Sequence, residues 1–258
     1  METLKIIKIG GNIIDNPILL DEFLSDFSKL DSPKILVHGG GKLASELSLK
    51  MGIAPNLING RRVTDTETLD IITMVYAGKI NKQIVAKLQA NQCNALGFSG
   101  ADGNTIIAKK RPIADIDYGF VGDVTKVNIE LIEMLLLNGV SPVFCAISHD
   151  KNGQLLNTNA DTIATELAIA LSTNFKVDLL YCFEKNGVLR NVEDEHSVIS
   201  EINQQQYDNL KAEKVIHSGM LPKIDNCFYA VNNGVKKVCI GNSKMPFNST
   251  EKCTTIQL

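Results

Sequence analysis

The sequence predicts an α/β protein with a largely parallel sheet covered by helices on both faces. Two observations predict it. Short apolar runs alternate with longer amphipathic ones along most of the chain, which is the pattern of strand–helix crossovers. Two of those runs, "IIKIGG" and "ILVHGGG", also end directly in glycines, at the carboxyl ends of strands, where open α/β sheets bind their ligands.

Taken in chain order, the first strand is Leu4–Ile9, a short apolar run interrupted by Lys5 and Lys8. A helix over Ile18–Leu30 follows, then a strand over Lys34–His38 and a helix over Lys42–Met51 that opens on the three glycines. Residues 57–64, "LINGRRVT", read as a hairpin around an Asn-Gly turn. "TETLDIITMVYAGKINKQIVAKLQA", Thr66–Ala90, carries apolar residues at helical spacing. Ala95–Phe98 is a strand, and residues 104–126, rich in Gly and Asp turn signals, form a second hairpin excursion. The alternation resumes with a helix at Asn128–Asn138, a strand at Val143–Ile147, a helix at Ala160–Ser172 and a strand at Asp178–Phe183. A helix at Gly219–Asn232 and a strand at Val235–Ile240 complete it. A soft boundary between two lobes falls near Thr173–Lys176.

The 258 residues suffice for one large α/β domain or two smaller lobes. A net charge of −3 gives no electrostatic reason to expect nucleic acid or an anionic membrane as partner. No apolar stretch approaches the roughly 18 residues of a membrane span, and lysines interrupt the first apolar run where a secretory signal would be unbroken. The six cysteines lie mostly in apolar runs, with no CxxC and no zinc spacing to the four histidines. That pattern fits reduced thiols in a cytoplasmic protein and argues against a metal centre built on His or Cys.

Five stretches carry candidate chemistry. In "IKIGGN", Lys8 stands at a strand end and Gly10-Gly11 leave backbone N–H groups free to approach an anion; the alternative is a lysine snorkelling from the sheet. In "VHGGGKLASEL", the glycines and the helix start form a phosphate cradle, although neither GxGxxG nor GxxxxGK[ST] is present. His38 there reads as a satisfied structural imidazole. In "NGRRVTD", an extended segment would point Arg61 and Arg62 to opposite sides, so that one could grip a carboxylate and the other be solvated. In "LLNTNADTIATELAIAL", Asn157, Asn159 and Asp161 alternate ahead of a helix; a cap explains one of them, and the amides suit a small polar ligand. Asp161 could instead hold lysines in place. In "SGMLPKID", Ser218–Asp225, Lys223 lies on a helix opened by Gly219, and a plain surface lysine is the competing reading.

These segments, in this order and with "GFSGADGN", make the chain resemble the amino acid kinase family, and most closely its acetylglutamate kinase branch. The resemblance covers nearly the whole sequence. It implies an α/β/α sandwich, with residues 1–173 as an N-terminal lobe that binds an acylated amino acid and dimerises. Residues 174–258 would be a C-terminal lobe for ATP. Carried over by position, it implies charge-stabilising lysines at Lys8 and Lys223, organised by Asp161. The glycines Gly10 and Gly11 would hold the phosphoryl group, and Gly40 and Gly41 the substrate. Arg62 would take the substrate α-carboxylate, and the side-chain amides of Asn157 and Asn159 would also bind the substrate. Glu184, Lys185 and Gly187 fall on the nucleotide side, where "CFEKNGVL" departs from the usual Thr/Ser-Asp-Val-x-Gly-Val of the family.

The implied reaction is transfer of the ATP γ-phosphoryl group to the γ-carboxylate of N-acetyl-L-glutamate, the second step of arginine biosynthesis, in a cytoplasmic homodimer. Mg²⁺ would be held mainly by the phosphates, with no protein metal site. Arg61, where the branch usually has an apolar residue, raises N-succinyl-L-glutamate as an alternative substrate with a second carboxylate. A catalytically silent nucleotide or amino-acid sensor is the alternative of another class, which retention of Lys8, Asp161 and Lys223 argues against. The first strand starting near residue 4 and the ending "EKCTTIQL" lead to the expectation of insensitivity to arginine.

Overall fold

The computed structural model describes residues 1–258 apart from residues 59, 214 and 217–219. The strands are β1 (Thr3–Ile9), β2 (Lys34–His38), β3 (Leu57–Ile58), β4 (Arg61–Arg62), β5 (Ala95–Phe98), β6 (Ile106–Lys110) and β7 (Gly122–Val127). They continue with β8 (Ser141–Phe144), β9 (Ile147–His149), β10 (Leu155–Asn157), β11 (Lys176–Cys182), β12 (Glu201–Ile202), β13 (Lys237–Gly241) and β14 (Cys253–Ile256). The α-helices are α1 (Gly11–Ile14), α2 (Pro17–Ser28), α3 (Gly41–Lys50), α4 (Thr66–Thr73), α5 (Asn81–Ala90), α6 (Ile129–Leu137), α7 (Ala160–Leu171), α8 (Gln204–Ala212) and α9 (Leu221–Asn232).

Eight strands form the central sheet in the order β12-β14-β13-β11-β1-β2-β8-β5. Every neighbouring pair is parallel except β13 and β14. Successive side chains on a strand point to opposite faces. Ile6 and Ile7 of β1 are adjacent and both fully buried, so both faces of the sheet are covered, as the sequence predicts. Helix α7 packs across β1, β2 and β11 and against α9, while α5 packs on β5 and β8 and against α2. The two predicted excursions are antiparallel hairpins, β3–β4 and β6–β7. The latter belongs to a four-stranded sheet, β10-β9-β6-β7. No helix among the described residues is long and apolar enough to cross a membrane.

Three differences from the sequence-based expectations have physical causes. The strand expected over Val143–Ile147 is two strands, β8 and β9, because the chain leaves the large sheet at Cys145 for the smaller one; every residue there is buried, and an unbroken apolar run hides the break. The helix expected over Thr66–Ala90 contains a π-helical turn, Met74–Ile80, between α4 and α5. That turn sets Tyr76 and Ile80 against the glycine loop after β2: a Cβ on Gly40 would lie 2.3 Å from Ile80 Cδ1 and 2.9 Å from Tyr76 Cδ1. The helix expected from Gly219 is described from Leu221, and Gly219 lies outside the described residues.

Candidate functional site

The carboxyl ends of β1, β2 and β11 lie side by side, with Ile9 in register with His38 on one side and Cys182 on the other. β1 runs through Gly10 into α1, and β2 through Gly39-Gly40 into α3. Lys8 is 8% exposed, and its Nζ stands 2.7 Å from Asp161 Oδ1. This is an ion pair by distance, while its angles fall outside those of a directed hydrogen bond. Asp161 is fixed in the first turn of α7. Its N–H donates to the Asn159 side chain at 2.7 Å, and its carbonyl accepts from Thr165 Oγ1 at 2.8 Å. Thr165 in turn meets Tyr181 Oη at 2.6 Å, which ties α7 to β11.

A cavity of about 510 Å³ opens beside this pair. Lys8, Gly10, Gly11, Asn12, Glu184, Lys185, Gly187 and Lys223 line it, and Phe183, Val188, Leu189, Val192 and Ile216 add apolar surface. Gly187 is required by packing, since a Cβ there would lie 2.6 Å from Thr254 Oγ1 and 3.0 Å from its backbone N. Burial lowers the Lys223 pKa, the Asp161 carboxylate opposes that shift, and the Lys8 ammonium adds to it. The Lys185 ammonium reaches Glu195 Oε1 at 2.8 Å on the rim.

The other predicted residues form a second cluster outside that cavity. Arg62 Nη2 donates to Gly41 O at 2.9 Å and to Ser45 Oγ at 2.7 Å, while its buried Nη1 has no hydrogen-bond partner among the described residues. Arg61 and Arg62 do alternate, the first exposed and the second buried. Asn157 Nδ2 donates to Thr64 Oγ1 at 2.9 Å. Asn159 caps α7, its side-chain oxygen accepting from Asp161 N and Thr162 N. The two clusters meet at the start of α7, where a Cβ on Gly39 would sit 3.8 Å from Ala160 Cβ. One side of this junction therefore offers ammonium groups and free glycine backbone beside an apolar hollow. The other offers a buried guanidinium N–H that still wants an acceptor.

His38 takes no part in the opening. It is fully buried, its Nδ1 is 2.8 Å from Gly39 O, and Asn81 Nδ2 donates to its Nε2 at 3.1 Å. Burial pushes its pKa down to about 4. Among the described residues no group of three His, Cys, Asp or Glu could hold a metal. Sequence reasoning missed Ser45, Tyr76 and Phe183. Ser45 and Tyr76 carry no motif signal and reach Arg62 and Gly41 only through folding. Phe183 passes in the sequence as the end of an apolar run.

A family model described as "Amino acid kinase family" matches residues 3–242. The acetylglutamate kinase of Cytophaga hutchinsonii is 57% identical over 241 residues, covering 93% of this chain and 91% of that protein. The acetylglutamate kinase of Bacteroides fragilis is 51% identical over 239 residues, covering 93% and 92%. Among solved structures, smu.665 from Streptococcus mutans UA159 superimposes with a TM-score of 0.82 at 29% identity over 98% of each chain. Isopentenyl phosphate kinase shares the fold, with a TM-score of 0.66 at 17% identity, covering 98% of this chain and 100% of the other.

Proposed function

Since the chain belongs to the amino acid kinase family, with acetylglutamate kinases at 57% and 51% identity over 93% of its length, we propose that its two clusters are the two halves of one phosphoryl-transfer site. The protein is an ATP-dependent carboxyl kinase that phosphorylates the γ-carboxylate of N-acetyl-L-glutamate, in arginine biosynthesis. The observation that carries the site assignment is the Lys8–Asp161 pair at the mouth of a cavity that also holds Lys223 and Gly10-Gly11.

The nucleophile, a Glu-type carboxylate with a pKa of about 4.3, is already ionised near neutral pH. No general base is needed, in keeping with a His38 locked in the core. The obstacle is repulsion between that carboxylate and the triphosphate. Phosphoryl transfer depends on positioning and charge stabilisation, which Lys8, Lys223 and the N–H groups of Gly10 and Gly11 are suited to supply. Asp161 neutralises part of the lysine charge before substrate arrives and fixes the Lys8 rotamer. The apolar wall around Val188 and Leu189 suits a nucleobase. Arg62 Nη1 is the free donor for the substrate α-carboxylate, with Gly40, Gly41, Asn157 and Asn159 around the remainder. Mg²⁺ carried mainly by the phosphates would supply further charge neutralisation beside Lys8 and Lys223.

In this reading residues 1–173 form the acyl-amino-acid lobe and 174–258 the nucleotide lobe, joined along the β1–β11 pairing. The chain works as a homodimer through the first lobe, where Leu96 is half exposed on the edge strand β5 and Met74 is half exposed at the start of the π-helical turn. Six free thiols, five of them buried, suit a reducing cytoplasm. Exposed Arg61, next to the substrate-gripping Arg62, supports N-succinyl-L-glutamate as a second reading, since that acyl group ends in a carboxylate.

The test is ATP turnover measured by coupled ADP release, with N-acetyl-L-glutamate and N-succinyl-L-glutamate side by side. ADP release dependent on the acetyl substrate, and trapping of the acyl phosphate as a hydroxamate, is the expected result. Turnover with the succinyl substrate alone would move the reading to the second substrate. No acyl-dependent turnover with either would overturn both.

A further inference from the structure

We infer that Phe183 is a positioning residue whose ring face holds the ammonium groups of Lys8 and Lys223 together at the mouth of the cavity, an inference that rests on the lysine clamp proposed above. Two cations converge there, and the one carboxylate in direct ion-pair contact, Asp161, is paired with Lys8. Asp161 stands 2.7 Å from Lys8 Nζ, and among the described residues Lys223 makes no ion pair of its own. The Phe183 ring supplies what the carboxylate lacks. Lys223 Nζ lies 4.0 Å from its centroid and Lys8 Nζ 5.6 Å from the same centroid. Both distances are within the range of cation–π attraction, which grows as the cation is desolvated.

The ring is held in place from both ends. Phe183 follows β11, and its N–H donates to Gly241 O at 2.8 Å. Its ring stacks on Tyr181 with centroids 6.3 Å apart and planes 12° from parallel. Tyr181 is hydrogen-bonded through Thr165 to the carbonyl of Asp161. The carboxylate and the ring are thus braced by one connected set of side chains, and the two lysines sit between them. Unlike a second carboxylate, a ring attracts the ammoniums without adding a negative charge that would repel an incoming triphosphate.

The variants that test this are Phe183→Leu and Phe183→Tyr, the second keeping ring and volume. In the free protein, lysine ¹³Cε NMR titration reads the Lys223 pKa directly, independent of turnover. The charged groups facing Lys223 are Asp161, Lys8 and Glu184, with the Cys227 thiol behind it. Phe183→Leu should move the Lys223 titration to lower pH, because the charged form loses the ring. It should also cut kcat roughly 5- to 30-fold, with the KM for the acylated glutamate little changed and the alkaline limb of the kcat profile displaced to lower pH. Phe183→Tyr should hold both within about twofold of the wild type. An unmoved Lys223 titration in Phe183→Leu, or a Phe183→Tyr variant as impaired as Phe183→Leu, would overturn the inference. Failure of the clamp itself would show separately, as a Lys8→Ala or Lys223→Ala variant that turns over normally.

Discussion

Lys8 and Lys34 lie on neighbouring strands of the same sheet, each 8% exposed, yet only one of them is part of a site. Lys34 starts β2 at the amino end of the strands. Its ammonium donates to the carbonyls of Ser28, at 3.0 Å, and Leu30, and it lies 5.3 Å from the Phe27 ring centroid. It closes the carboxyl end of α2, whose last carbonyls lack partners within the helix. Lys8 sits near the carboxyl end of β1 with one carboxylate, a ring at longer range and an open cavity. Burial of a lysine therefore marks nothing by itself. What separates the two is whether the ammonium is already satisfied by the protein's own backbone.

The strongest test of that distinction is Lys8→Ala, which should lower kcat roughly 10²- to 10³-fold, by analogy with removal of one oxyanion donor. The fold should be intact by circular dichroism; near-normal turnover would remove the contrast altogether. Arg62 combines both conditions in one side chain, with Nη2 satisfied and Nη1 without a partner among the described residues. Arg62→Lys should raise the KM for the acylated glutamate about 10- to 100-fold, the loss of a charge-assisted hydrogen bond, while the KM for ATP stays put. If the ATP KM rises instead, the guanidinium belongs to the wrong half of the site. Lys34→Met should leave kcat within about twofold and cost about 1–3 kcal/mol of stability in urea unfolding, because two carbonyls lose their donor. A catalytic defect in that variant would blur the comparison.

His38 offers the finest discrimination, since it stands at the site end of β2 yet is fully satisfied. Its folded pKa of about 4 lies below the free value near 6.5. Between those values the unfolded chain binds a proton that the folded one refuses. The contribution is therefore fully present above pH 6.5 and is lost as the pH falls toward 4, with about 2 kcal/mol gone by pH 5. Urea midpoints at pH 7 and pH 5, for wild type against His38→Gln, isolate it: the wild type should lose the extra stability and the variant should not.

The strands that read correctly in the sequence are short apolar runs with polar or turn-forming residues on both sides. β2 and β5 have the predicted bounds, and β1 starts one residue earlier. The polar stretches that form α8 and β12 and the short closing strand β14 gave no comparable signal, because they depend on partners such as Thr255 for Glu201 that are distant in sequence. The π-helical turn was illegible for another reason: one residue of slippage within a 25-residue helical pattern leaves its apolar stripe nearly unchanged. At the site, the glycines, Lys8 and Asp161 stood out as residue types that a core strand or a helix cap does not need. Phe183 did not, since an aromatic residue ending a strand is what packing alone would choose.

The pairing of β1 with β11 also sets an order of events during synthesis. Thr3 lies opposite Lys176, and Ile9 opposite Cys182. At about 5–20 residues per second, one edge of β1 waits roughly 10 to 35 seconds for its neighbour to leave the ribosome. β2 follows much sooner and can cover the other edge. In that interval "IIKI" would be an exposed apolar strand, with a ladder of unpaired backbone groups open to any similar segment. Lys5 borders it and Lys8 interrupts it. The ammonium that later faces the cavity can first keep nascent chains apart, a duty it would owe to its place on the strand rather than to the chemistry it ends up serving.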